Sequence, residues 1–162
     1  MTKREPDRPL PANVPAEKAI LGACLLDNDL YAATIVLEPD DFSLESHRLI
    51  YAHMGEMIER GEAADLVTLA EDMRSNGDLS RMGEGPVAYL SGLSEDTIRY
   101  KQSVRDWVRI VKAKSLLRQL IGACSSAIEK AYQGERGSDI LSALRENIDE
   151  IESTAKRGMR TV

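Results

Sequence analysis

The sequence predicts an all-α protein: a small multi-helix globular head, followed by a long helix and an αα-hairpin that self-associates. Three observations predict it. Apolar residues recur at steps of three and four through most of the chain, which is the helical period. No stretch sustains strand-like alternation, and there is no repeat of fixed period. Aromatics make up 4% of the 162 residues, with one Trp and one Phe, while apolar residues make up 43%. Such a core is mostly aliphatic, as in helical bundles.

Residues 1–14 hold Pro6, Pro9 and Pro11 among charges and read as a flexible tail. The head spans 15–97. Pro15 suits the first turn of a helix, and Ala19, Ile20, Ala23, Cys24 and Leu26 follow at helical spacing. Asp27-Asn28-Asp29 stops that helix and caps a second short one, Leu30 to Leu37. Glu38-Pro39-Asp40-Asp41 breaks it, because the residue before proline avoids the α region. Leu49, Ile50, Met54, Met57 and Ile58 form one stripe on a helix from about Leu44 to Arg60. Gly61 fits the left-handed stop. Asp65 is a good N-cap for Leu66 to Arg74, and Asn76-Gly77-Asp78 ends that helix. After the loop Gly83-Glu84-Gly85, Pro86 starts a short helix carrying Val87, Leu90 and Leu93.

Residues 98–152 read as the long helix and hairpin. From Ile98 to Tyr132 there is no proline, and the first glycine is Gly122. Val104, Trp107, Val108, Val111, Leu117, Leu120, Ile121, Cys124, Ile128 and Ala131 step by three or four almost throughout. At about 1.5 Å per residue this is a rod of roughly 45–50 Å. Gly134 to Gly137 is a turn, and Ile140, Leu141, Leu144, Ile148 and Ile151 form the stripe of the returning helix. Two helices alone cannot bury both stripes, so the same hairpin on a second subunit is the expected partner, through residues 116–152, the alternative being that this face folds onto the head within one chain. Residues 153–162, with Lys156, Arg157 and Arg160 around Gly158, read as a frayed linker or tail.

Charge and composition exclude several classes. The formal net charge is −6, which argues against strong direct binding of nucleic acid, since phosphate contacts need clustered Lys and Arg. No apolar run approaches the roughly 18 residues of a membrane span, and the start has no signal-peptide core. The reading is a soluble, cytoplasmic protein, with Cys24 and Cys124 as two buried free thiols.

Chemistry is hard to find. His47 and His53 are six apart on one helix, whereas metal-binding pairs need three or four; capping or packing is the expected role of each. The acidic groups Asp27/Asp29, Glu38/Asp40/Asp41 and Glu71/Asp72 fall at helix ends or on faces read as solvated. Lys112, Lys114 and Arg118 also read as a solvated face. No G-x-x-x-x-G-K-[ST] occurs, and Ser91 and Ser125 lack a nucleophile context. No catalytic, cofactor-binding or metal residue is assigned. The residues describe an interaction module.

The order of segments resembles the N-terminal domain of DnaB-type replicative helicases. VPAEKAILGACLLDNDL is similar to the E-x-x-[VIL]-L-G-x-[LM]-L-x-[DN] opening of that family. EPDDF and HRLIY follow as in the family. GEAADLVTL matches G-x-x-x-D-[LV]-[VI]-T-[LV], GPVAYLSGL matches G-G-x-x-Y-L-x-x-L with Glu84 in place of the first glycine, and WVRIVKAKSLLRQLI resembles the long-helix pattern. The resemblance covers about 14–152. Where the family commonly has P-[ST]-A-A-N before the long helix, this chain has SEDTIRYKQ.

The resemblance implies a dimer, three dimers forming a collar, and docking of the C-terminal domain of primase. It places ATP, Mg and most DNA translocation in a motor domain that would follow a linker after about residue 155. Dimer-interface candidates are Leu117, Leu120, Cys124, Ile128, Leu144, Ile148 and Ile151; some of them serve the seam within the hairpin instead. Docking candidates are Tyr89 and Ile121. A stand-alone regulatory or adaptor relative of that domain is the alternative, and a small helical enzyme is the third reading.

Overall fold

The computed structural model describes residues 8–95 and 101–160, with side chains described except at 101, 102 and 157–160. These residues are all-helical. Helix α1 (Val14–Leu26) is capped by Asn13, whose side-chain oxygen accepts from the Ala16 amide at 3.0 Å. A 3-10 turn then covers Asn28–Ala33, where the sequence suggests a helix from Leu30 to Leu37. The helix does not propagate because the Thr34 hydroxyl donates to the Tyr31 carbonyl, a local bond that competes with helix continuation. A second 3-10 turn covers Pro39–Asp41.

Helix α2 (Glu45–Glu59) ends as expected at Gly61, whose φ is 76°. The Glu62 amide reaches the Met57 carbonyl and the Gly61 amide reaches Ile58, the paired bonds of a left-handed glycine cap. Asp65 caps α3 (Leu66–Ser75), accepting from the Val67 and Thr68 amides. A short 3-10 turn, Leu79–Met82, leads to α4 (Pro86–Glu95). Asn28 stitches the loop before α3 to the end of α1. Its amide donates to the carbonyls of Cys24 and Ala64 and accepts from the Ala64 amide.

The long helix α5 (Lys101–Tyr132) turns at Gly134 (φ 78°) into α6 (Gly137–Arg160). The expected start of the long helix at 98 and the centre of the SEDTIRYKQ segment lie outside the described residues. Helix α6 continues through 153–160, which corrects the linker reading of that stretch. Lys156 pairs with Glu152 one turn back, and Ile151, Thr154 and Ala155 are half-buried toward α5. The apolar face therefore runs further than its large residues suggest.

The core sits in the head. Ile20, Leu21, Phe42, Ile50, Met54, Leu69, Met73 and Leu90 are fully buried. The few aromatics cluster: Phe42 lies 4.8 Å from Tyr51, and Tyr51 lies 5.4 Å from Tyr31, ring centre to ring centre. Helix α5 enters this core through Val104, Val108 and Val111, one stripe at helical spacing. Past Ser115 the only buried residue described on α5 is Ala123. The rest of α5 and α6 form a hairpin projecting from the head.

Candidate interaction surface

The seam between α5 and α6 is narrow and built of small or half-buried side chains. Leu116, Ala123 and Ala127 meet it from α5; Ile140, Ala143, Leu144 and Ile151 are half-buried along α6. Other large apolar residues point elsewhere. Leu117 is 44% exposed, Ile121 41% and Ile128 56%, and Cys124 is also exposed. Residues 117, 121, 124 and 128 follow the three-and-four step, so they share one face. On α6, Leu141 and Ile148 are exposed as well. Large apolar side chains in such a row, on a projecting element, are what an interaction surface requires.

The candidate interface residues thus divide. Leu117, Leu120, Cys124, Ile128 and Ile148 are on the open face. Leu144 and Ile151 are half-buried near the seam. Tyr132 and Leu141 extend the open apolar surface and are missing from the sequence-derived candidates, although both continue its spacing. Cys124 is not a buried thiol, which corrects the reading of both cysteines as core residues. Cys24 is buried, and burial pushes its thiol up to about 12 despite a hydrogen bond with Thr34.

Tyr89 and Ile121 do not form one site. Ile121 lies on the hairpin, while Tyr89 sits on α4 within a buried polar brace. Its hydroxyl meets His47 Nε2 at 2.6 Å, and His47 Nδ1 meets Glu17 at 2.6 Å. The Ser43 amide donates to the other Glu17 oxygen. Burial alone would raise the Glu17 carboxyl, but the bonds from His47 and Ser43 outweigh it and hold the group below its usual range. Desolvation raises the Tyr89 hydroxyl. The Lys18 ammonium lies 5.3 Å from the Tyr89 ring centre.

His53 forms a second brace. Its Nδ1 is 2.6 Å from Asp72 and its Nε2 is 3.1 Å from Asp78. Arg60 holds the other Asp72 oxygen, and Arg81 joins Asp78 to Glu45. Both histidines therefore pack with carboxylates rather than opening onto a cleft. Asp72 is not on a free solvated face, and neither is Asp41, which is buried against Lys112 at 2.6 Å. Arg118 donates to the carbonyls of Pro11 and Asp41. These partners lie 71 to 107 residues apart in sequence, so local pattern could not reveal them. Among the described residues, no group of three His, Cys, Asp or Glu side chains is placed to hold a metal ion.

The model of the DnaB-like helicase N-terminal domain matches residues 9–113. The chain belongs to that family. A replicative DNA helicase DnaB from Geobacillus stearothermophilus is 36% identical over 132 residues, which are 81% of this chain and 28% of that protein. The replicative DNA helicase DnaC of Bacillus subtilis is 34% identical over 153 residues, 93% of this chain and 33% of that protein. The chain therefore spans about a third of the length of these curated relatives.

The crystal structure of the N-terminal domain of DnaB helicase from Mycobacterium tuberculosis is similar over most of this chain. Its TM-score is 0.78 at 30% identity, covering 86% of this chain and 99% of that one. A DnaB-like replicative helicase, described with its interactions with primase, shares the fold at TM-score 0.67 and 23% identity. There the match covers 88% of this chain and 31% of that one. The DnaB-like helicase N-terminal fold of head and hairpin is thus the fold of this chain. Among the described residues, no helix is long and apolar enough to cross a membrane.

Proposed function

We propose that this chain acts as the non-motor collar portion of a replicative DNA helicase in the cytoplasm. It pairs with a second copy through the open face of its hairpin, three such pairs close a collar, and the collar docks the C-terminal domain of primase. The observation that carries this reading is the row Leu117, Ile121, Cys124 and Ile128. These side chains stand open on a hairpin whose own seam is already occupied by Leu116, Ala123, Leu144 and Ile151. Water contact with such a row is unfavourable, and a second hairpin of the same sequence offers the matching surface. ATP and Mg belong to a motor portion, and this chain needs no cofactor of its own.

Sedimentation equilibrium tests the pairing, with a dimer expected at micromolar concentration. Calorimetric titration with the C-terminal domain of primase from the same source tests the docking. Saturable binding is the expected result, weakened by changes at Tyr89 or Ile121. A chain that stays monomeric at high micromolar concentration and takes up no primase domain overturns the proposal.

A further inference from the structure

Two clefts flank the point where the long helix leaves the head. A cleft of about 650 Å³ opens on one side, lined by Val36, Arg105, Val108, Leu116, Ile151 and Ala155 among others. A neighbouring cleft of about 590 Å³ has Glu38, Asp40, Gly122, Ser126, Asn147 and Glu150 in its walls. Asp41 and Lys112 line both. In a close-packed interior, the crossing angle of an element is set by interlocking side chains. Here the space on either side is open, and polar contacts cross the junction instead.

We propose that Asp41, Lys112 and Arg118 form a latch that fixes the angle between head and hairpin. Asp41 is well placed for this. It belongs to the Pro39–Asp41 turn, and its Oδ2 accepts from the Glu38 amide at 2.8 Å, so the carboxylate is fixed to the head. The same oxygen takes the Lys112 ammonium at 2.6 Å. The Asp41 carbonyl takes one Arg118 nitrogen, and the other reaches the Pro11 carbonyl at 2.8 Å. One head residue therefore grips the rod at two positions, about 9 Å apart along its axis. A single contact would fix only where the rod crosses; two fix its direction.

The valine stripe holds α5 only up to the junction. Val104, Val108 and Val111 anchor α5 before the junction, and beyond Ser115 no α5 side chain is buried in the head core. Gln133 at the hairpin tip lies about 27 Å past Ser115 along the axis, so a pivot of about 15° at the junction would carry it about 7 Å. In an assembly formed through the hairpin, which rests on the function proposed above, the latch would set how the open apolar face is presented. The latch itself is a property of one chain.

Pulsed electron–electron resonance within one chain tests it. Nitroxides are placed at Ser80→Cys on the head and Gln133→Cys at the tip, in a Cys124→Ser background with Cys24 left buried. Labelled protein is diluted into excess unlabelled protein, so the distance is read within a chain whether or not chains associate. The parent should give one narrow distribution. Lys112→Met combined with Arg118→Met, with the helical circular dichroism and urea midpoint of the parent retained, should double its width or move its mean by about 5 Å or more. Lys112→Arg, which keeps the charge, should resemble the parent. A double variant whose distribution superimposes on the parent overturns the latch. So does a Lys112→Arg variant that broadens as much as the double variant.

Discussion

His47 Nδ1 lies 2.6 Å from a carboxylate oxygen of Glu17, and neither side chain is open to solvent. The contact joins the first turn of α1 to the first turn of α2, thirty residues apart in sequence. The Tyr89 hydroxyl on the far side of the imidazole adds α4. One polar chain thus fixes three helices of the head. Removing one partner of a buried pair strands the other, which costs about 3–5 kcal/mol. Glu17→Ala should lower stability by about 3 kcal/mol and Tyr89→Phe by about 1 kcal/mol, measured by urea unfolding. The reverse order would show that the histidine is held by packing.

The same carboxylate predicts how the head responds to acid. Its folded value is depressed from 4.5, so its contribution is complete above that pH and is lost as pH falls through the lower, folded value. Asp78 is depressed in the same sense by Arg81 and His53, and Asp65 by the amide bonds of its cap. These carboxylates should therefore make stability fall on the acid side, below about pH 4.5. Urea midpoints measured from pH 7 to pH 3 check this. Glu17→Gln should flatten the acid limb; an unchanged limb removes Glu17 from the account.

Ile128→Asp separates folding from association. Ile128 is 56% exposed in the single chain, so the change should alter stability by only about 0.5 kcal/mol. Buried unpaired in a subunit interface, the new carboxylate is expensive. Sedimentation should show a monomer with unchanged helical circular dichroism. A dimer of parental affinity would place the interface on another face.

The cysteines give an independent readout. Cys124 is exposed on the hairpin, whereas Cys24 is buried with its thiol pushed up to about 12. The thiolate is the reactive form, so a maleimide should modify one cysteine quickly under native conditions and the second only in denaturant. Raising the protein concentration should slow the first reaction if the hairpin face pairs. Equal rates at nanomolar and high micromolar protein would speak against pairing there.

Much of the fold is legible because helices announce themselves locally. The stripe Ile50, Met54, Met57 and the stop at Gly61, the Asp65 cap, and the uninterrupted run to Tyr132 are all decided by neighbours a few residues away. The stretch after Asn28 was less legible, because the Thr34 hydroxyl competes for a carbonyl in a segment too short to resist. The end of α6 is not legible because Thr154 and Ala155 are small, yet they lie against α5. The braces at His47 and His53 and the junction at Asp41 were invisible for a different reason. Each depends on charges brought together from distant segments, and an isolated Asp or Lys looks the same whether it faces water or a partner. Leu117, Ile121 and Ile128 stand out as apolar at helical spacing, but period alone does not distinguish a face that meets its own chain from one that meets another.

The separation between a densely braced head and a thinly seamed hairpin also bears on how such a chain can diverge. Residues that hold the head together are mostly not those displayed along the rod, so drift on the open face carries little penalty in folding. New recognition preferences could accumulate there one substitution at a time. Changes at Glu17, His47 or Asp72 would have to arrive with their partners.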